Sequence, residues 1–78
     1  MKRGDRLLIT YRGQTKVGRL LLASEDLSAL MLGFDGAFRD GKGGSVVGVM
    51  AVVQDDDGTY LDLIGGQVVT VEPVLADS

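Results

Sequence analysis

The chain has 78 residues and a formal net charge of −3, and it contains no cysteine and no histidine. A chain of this length forms one domain, because two separate cores would each be too small to offset the chain entropy lost on folding. The composition excludes disulfides and thiolate metal sites, and it removes the commonest acid–base catalyst. We therefore expect a protein that is not an enzyme and that uses no cofactor or metal.

Short apolar segments, twelve glycines and a single proline are typical of an all-β chain with tight turns. The predicted strands, in chain order, are residues 6–11, 16–22, 29–34, 46–53, 59–64 and 67–71. We expect a hairpin turn at 12–15, with Gly13 at a positive φ. In the second strand Arg19 marks the solvent face, so Leu20 and Leu22 are predicted to point into the core.

Residues 24–32 also fit a helix. Ser24 is a suitable N-cap, and the two acidic residues after it would lie in the first helical turn. The apolar spacing of Leu30, Leu32 and Phe34 favours a half-buried strand at 29–34 instead.

The apolar run at 46–53 is the segment around which we expect the other strands to pair. As a strand it has no polar side chain on either face, so it requires cover on both. We place Met50 and Val52 on the core face, and the other face, formed by Val47, Val49, Ala51 and Val53, is the candidate self-association surface. Alternation with a period of two shows which residues share a face but not which face is inside, so the reverse assignment stays open.

These elements predict a small SH3-like β-barrel or a strongly bent antiparallel sheet of five to six strands. The domain is expected to cover residues 1–73, with a frayed tail at 74–78 after Pro73. A small core and a doubly apolar strand together indicate a homo-oligomer, and we expect a dimer. The amino terminus lacks the apolar stretch of a signal peptide, so a cytoplasmic location without membrane attachment is expected.

Several strand-and-turn features resemble short uncharacterised bacterial proteins. They are Gly4-Asp5, Leu30-x-Leu32-x-Phe34, Val47-Gly48-x-Met50 and Tyr60. This resemblance implies a small β fold and brings no known activity. The first hairpin also resembles the KOW motif through Gly4-Asp5 and Gly18-x-Leu20, but the central glycine spacing is missing, so the RNA-binding role of that motif does not carry over.

The glycine-rich segment 35–45 is the longest irregular stretch. Its Gly36-x-x-x-x-Gly41-Lys42 pattern approaches a phosphate-binding P-loop, but Gly43 stands where Ser or Thr would contact magnesium. A small-molecule binder or enzyme that uses this loop is therefore a minor alternative. Long loops often carry contacts, and the candidate partner-binding residues here are Phe38, Arg39 and Lys42.

Charge is distributed unevenly along the chain. Residues 1–19 carry a net charge of +5, and residues 20–78 carry −8. A nucleic-acid-binding barrel is therefore a second alternative, with a candidate basic patch formed by Arg3, Arg6, Arg12, Lys16 and Arg19. The acidic body and the scarcity of stacking aromatic residues argue against nucleic acid as a partner. The acidic run at 55–57 lacks the spacing of a calcium loop, and we interpret it with Gly58 as a solvated hairpin turn.

Overall fold

The computed structural model describes residues 2–34, 36, 38–39, 45–46 and 48–74. Within these residues the secondary structure is entirely β. The strands are β1 (Arg6–Tyr11), β2 (Gln14–Ala23), β3 (Ala29–Phe34), β4 (Phe38–Arg39), β5 (Ser45–Val46), β6 (Val49–Gln54), β7 (Tyr60–Asp62) and β8 (Val68–Pro73).

Six of these strands close into a barrel in the order β1-β2-β3-β6-β7-β8, with every neighbouring pair antiparallel. Pairing of β8 with β1 completes the closure. The two remaining strands, β4 and β5, pair with each other in a separate two-stranded sheet. The predicted small all-β barrel is confirmed, and closure leaves its strands without free edges.

Side chains alternate between the barrel interior and its outer surface, as the two-residue period of a strand requires. The core is formed by ten buried apolar residues: Leu7, Ile9, Tyr11, Leu20, Leu30, Leu32, Phe34, Met50, Val52 and Val69. Each of the six barrel strands except β7 contributes to this list. On β7 the buried residue is Asp62, a carboxylate, and Tyr60 packs half-buried against the core.

The first hairpin is tighter than predicted, because β2 already begins at Gln14. Only Arg12 and Gly13 lie between the strands, and both have positive φ, at 52° and 79°. This two-residue geometry suits the right-handed twist of the strands that it joins.

The prediction of one continuous strand at 46–53 is wrong. Val46 pairs with Phe38 in the small sheet, whereas the barrel strand β6 begins at Val49. A bend at Gly48 separates the two, and the Gly48 carbonyl accepts a hydrogen bond from Phe34 N at 3.0 Å. A Cβ on Gly48 would lie 2.8 Å from the Phe34 carbonyl oxygen, so the close approach of the two backbones requires glycine.

Residues 24–28 form a turn, and no helix is present there. Ser24 and Ser28 donate side-chain hydrogen bonds to Asp26 Oδ1 at 2.8 and 2.6 Å, and Ser28 N donates to the same oxygen at 3.0 Å. Leu27 takes a φ of 60° in this turn. The local side-chain bonds of serine and aspartate compete with helix formation, which explains why the strand interpretation of the following residues is correct.

At the carboxyl end the strand pairing continues slightly further than predicted. Pro73 pairs with Leu7, and Val74 N donates to Arg6 O at 3.0 Å. Val74 is therefore held against β1, while the rest of the predicted tail, residues 75–78, lies outside the described residues.

Candidate self-association surface

An apolar row crosses the outer surface of three adjacent barrel strands. Leu22 on β2 pairs with Met31 on β3, and Met31 pairs with Ala51 on β6. Leu22 is 53% exposed and Met31 is 37% exposed. We call the outer face of these three strands, centred on Leu22, Met31 and Ala51, the outer apolar face.

Leu22 belongs to this face because β2 contains a bulge. The pairing of β2 with β3 shifts between Leu20 and Leu22, so the two residues do not share a face although they are two apart in sequence. Leu20 is buried, and Leu22 points outward. The prediction that both leucines lie in the core is therefore wrong for Leu22, since an extra residue in one strand reverses the alternation beyond it.

On β3 and β6 the residues to either side of the central row are also apolar or lack a side chain. Val49 pairs with Gly33 at one side, and Val53 pairs with Ala29 at the other. Val49 is 48% exposed. A Cβ on Gly33 would lie 3.1 to 3.3 Å from three side-chain carbons of Leu21, which shows that the Leu21 side chain lies across the glycine.

The structure decides between the two assignments of the faces of β6 that the sequence leaves open. Met50 and Val52 are buried in the barrel core. Three of the four candidate self-association residues, Val49, Ala51 and Val53, alternate with them and lie on the outer face. The fourth, Val47, lies outside the described residues.

Opposite charges lie at the two ends of the outer apolar face. Arg19 pairs with Gly33 at one end, and Arg6 lies directly across from Arg19 on β1. Glu25 and Asp26 are exposed in the turn that follows β2 at the other end. Hydrogen bonds from the Ser28 hydroxyl, the Ser28 N–H and the Ser24 hydroxyl lower the pKa of Asp26 to about 2. Asp26 is therefore ionised throughout the neutral range.

The candidate basic patch is not one surface. Arg6 and Arg19 are brought together, whereas Arg12 lies at the tip of the first hairpin, at the other end of β1. Lys16 pairs with the core residue Ile9 and is half-buried, so it does not share the outward face of Arg19. Arg3 is exposed and lies in the turn before β1.

The candidate partner-binding loop is only partly described. The backbone of Phe38 and Arg39 forms β4, paired with β5, and Lys42 lies outside the described residues. The role of this loop in binding a partner therefore stays a prediction.

The buried carboxylate of Asp62 is a feature that the sequence analysis does not predict. It is 5% exposed, and its Oδ1 accepts a hydrogen bond from Gly65 N. Burial raises its pKa, but hydrogen bonds from Gly65 N, the Tyr11 hydroxyl and the Ile64 and Gln67 N–H groups outweigh burial, so its pKa is lowered. Its ionised form stabilises the turn between β7 and β8, a structural role inside the barrel. The only signal in the sequence was an aspartate three residues before a Gly-Gly pair.

Comparison with known proteins finds no matching family model, no matching curated protein and no matching solved structure. The resemblance to short bacterial proteins therefore stays a prediction. The described residues contain no group of three or more acidic, histidine or cysteine side chains placed to hold a metal ion. Within the same ranges, no helix is long and apolar enough to cross a membrane. The cytoplasmic location also stays a prediction.

Proposed function

We propose that this protein is a non-catalytic β-barrel interaction module that self-associates as a dimer through its outer apolar face. The observation that carries the proposal is the outward apolar row of exposed Leu22, exposed Met31 and half-buried Ala51, which lies on paired strands of a closed barrel. Singly scattered apolar residues on a surface need no explanation, but a row on paired strands forms one continuous patch.

The rigidity of the scaffold supports this function. Strands β2 and β3 are hydrogen-bonded to neighbours on both sides, and β6 is paired with β3 and β7. Their outward side chains therefore present a preformed surface, and little backbone ordering opposes association.

The size of the molecule is also compatible with a dimer. A standard interface buries about 800 Å² on each partner. That area is less than a sixth of the 5213 Å² accessible surface of this chain. The outer apolar face would form the apolar centre of such an interface, and the apolar atoms removed from water there provide the favourable free energy.

Sedimentation velocity over a range of protein concentrations tests the proposal. We expect the wild-type protein to shift from monomer to dimer as concentration rises, and Met31→Lys to remain a monomer while its circular dichroism spectrum is unchanged. Thr70→Lys is the matched control, since Thr70 is exposed on β8, away from the three strands of the face. This control should dimerise like the wild type. A wild-type protein that stays monomeric at every concentration would refute self-association.

A further inference from the structure

On β3 and β6 the residues of the outer apolar face follow a pattern that is nearly the same when read in either direction along the strands. Val49 lies two residues before Ala51, and Val53 lies two residues after it. On β3, Gly33 and Ala29 lie two residues to either side of Met31, and both are small. An apolar surface with this pattern can pack on a copy of itself that runs in the opposite direction.

The charges at the ends of the face break this similarity. Arg19 lies three residues before Leu22, and Glu25 lies three residues after it. Through the pairing with β3, Arg19 is level with Gly33, about 7 Å from the Met31 row at 3.3 Å per residue. Glu25 and Asp26 follow the last paired residues of β2, on the far side of the same row.

We propose that two copies pack these faces together about a two-fold axis that runs along the Leu22, Met31 and Ala51 row, across the strands. The proposal rests on the self-association proposed above and adds the orientation of the partner, a second copy of this chain. Such an axis places each strand antiparallel over its equivalent, so Val49 of one copy meets Val53 of the other. Arg19 of each copy then faces Glu25 of its partner, and a two-fold axis creates this contact twice.

The alternative face-to-face dimer has its two-fold axis parallel to the strands. That arrangement keeps the strand direction, so the two Arg19 side chains lie at the same end of the interface. The carboxylates of Glu25 and Asp26 of both copies lie at the opposite end. Like charges at the same end of the interface disfavour this dimer, while both dimers cover the same apolar rows. Electrostatic complementarity therefore selects the axis across the strands.

The role of Arg19 and Glu25 is to fix the orientation, and the apolar rows supply most of the affinity. Each exposed ion pair contributes little to the affinity. Reversing one partner replaces two attractions by two repulsions in the symmetric dimer. We therefore expect either single charge reversal to weaken dimerisation about tenfold or more at low salt, where screening is small.

A mixing experiment tests the orientation. Arg19→Glu and Glu25→Arg are each made alone, and both proteins should dimerise more weakly than the wild type. When they are mixed in equal amounts, both contacts become attractive again, so a heterodimer of near wild-type affinity should form. The double variant that carries both changes should also recover a homodimer, which guards against loss of folding in either single variant. Glu72→Arg, at an exposed position on β8, is the control and should leave dimerisation unchanged.

The outcomes separate this proposal from the one on which it rests. A monomeric wild type refutes self-association itself. A dimer that Met31→Lys disrupts, but in which the mixed charge variants show no recovery, refutes the two-fold arrangement and leaves self-association standing. Recovery in the mixture, together with weak association of each single variant, supports the axis across the strands.

Discussion

An aspartate on the core face of β6 should unfold the protein, whereas an aspartate on the outer face should only prevent dimerisation. Val52 is 1% exposed, and it pairs with Leu30 on one side and Asp62 on the other. Val52→Asp would remove a buried apolar side chain, and burial of such a side chain contributes about 1.5–3 kcal/mol to the free energy of unfolding. It would also place a second carboxylate beside buried Asp62, which costs several kcal/mol more whether that group is ionised or is forced to take up a proton.

The sum exceeds about 5 kcal/mol, whereas a domain of this length has a total stability of about 4–12 kcal/mol. We therefore expect Val52→Asp to be largely unfolded. Val49 is 48% exposed and pairs with Gly33. Val49→Asp should lower the free energy of unfolding by only about 1 kcal/mol, which is the range of strand propensities measured in a host protein. The variant should therefore be a folded monomer that no longer dimerises.

Urea unfolding followed by circular dichroism measures the first effect, and sedimentation measures the second. Thr70→Asp is the control for strand preference, because it places the same residue at an exposed site on β8. It should lose about as much stability as Val49→Asp but keep the dimer. Similar unfolding midpoints for Val52→Asp and Val49→Asp would show that the assignment of the two faces is wrong.

Three further predictions concern positions at which the structure limits the residue type. Gly18→Ala should destabilise the fold by at least about 1–3 kcal/mol, because the added Cβ would collide with the Gly33 carbonyl oxygen and lie 2.6 Å from a carbon of Ile9. Gly65→Ala, where no heavy atom lies nearer than 3.7 Å, should change the urea midpoint little. Asp62→Asn should be less stable than the wild type at neutral pH, by about 1–3 kcal/mol. The lowered pKa of Asp62 means that its contribution is complete above its unfolded pKa of about 3.9 and is lost as the pH falls through the folded pKa. The difference in free energy of unfolding between the wild type and Asp62→Asn should therefore become smaller below about pH 4. A difference that does not change with pH would contradict the argument. Gly58→Val should destabilise the turn by about 1–3 kcal/mol, since Gly58 has a φ of 89°, whereas Asp56→Asn at an exposed position should stay within about 0.5 kcal/mol in thermal melts.

The elements that sequence predicted well are those specified by neighbouring residues. β1 and β3 have the predicted bounds, because alternating apolar residues and flanking turn residues define each of them locally. The turn at 55–58 also follows from local chemistry, since Asp55 Oδ1 accepts hydrogen bonds from Asp57 N and Thr59 N. The fold class, a small β-barrel, could be predicted because the sequence contains enough short strands and enough glycines for tight turns.

The long strand at 46–53 could not be corrected from sequence, because the reason for its interruption is distant in the chain. Gly48 lies against the backbone of Phe34, fourteen residues earlier, and only that contact distinguishes it from a glycine inside a strand. Asp62 presents the same difficulty. Its partners include the hydroxyl of Tyr11, which lies in β1, and no pattern near residue 62 identifies that contact.

The candidate surface was predicted on β6 but not on β2, and the bulge explains the difference. Period-two alternation places Leu20 and Leu22 together, and only the shifted register with β3 separates them. A bulge commonly bends a strand and increases its twist. In β2 the extra residue turns Leu22 outward beside Met31 and brings Leu21 across Gly33. The bulge therefore completes the apolar row on the outer surface of the barrel, and this candidate surface cannot be recognised until the register of β2 is known.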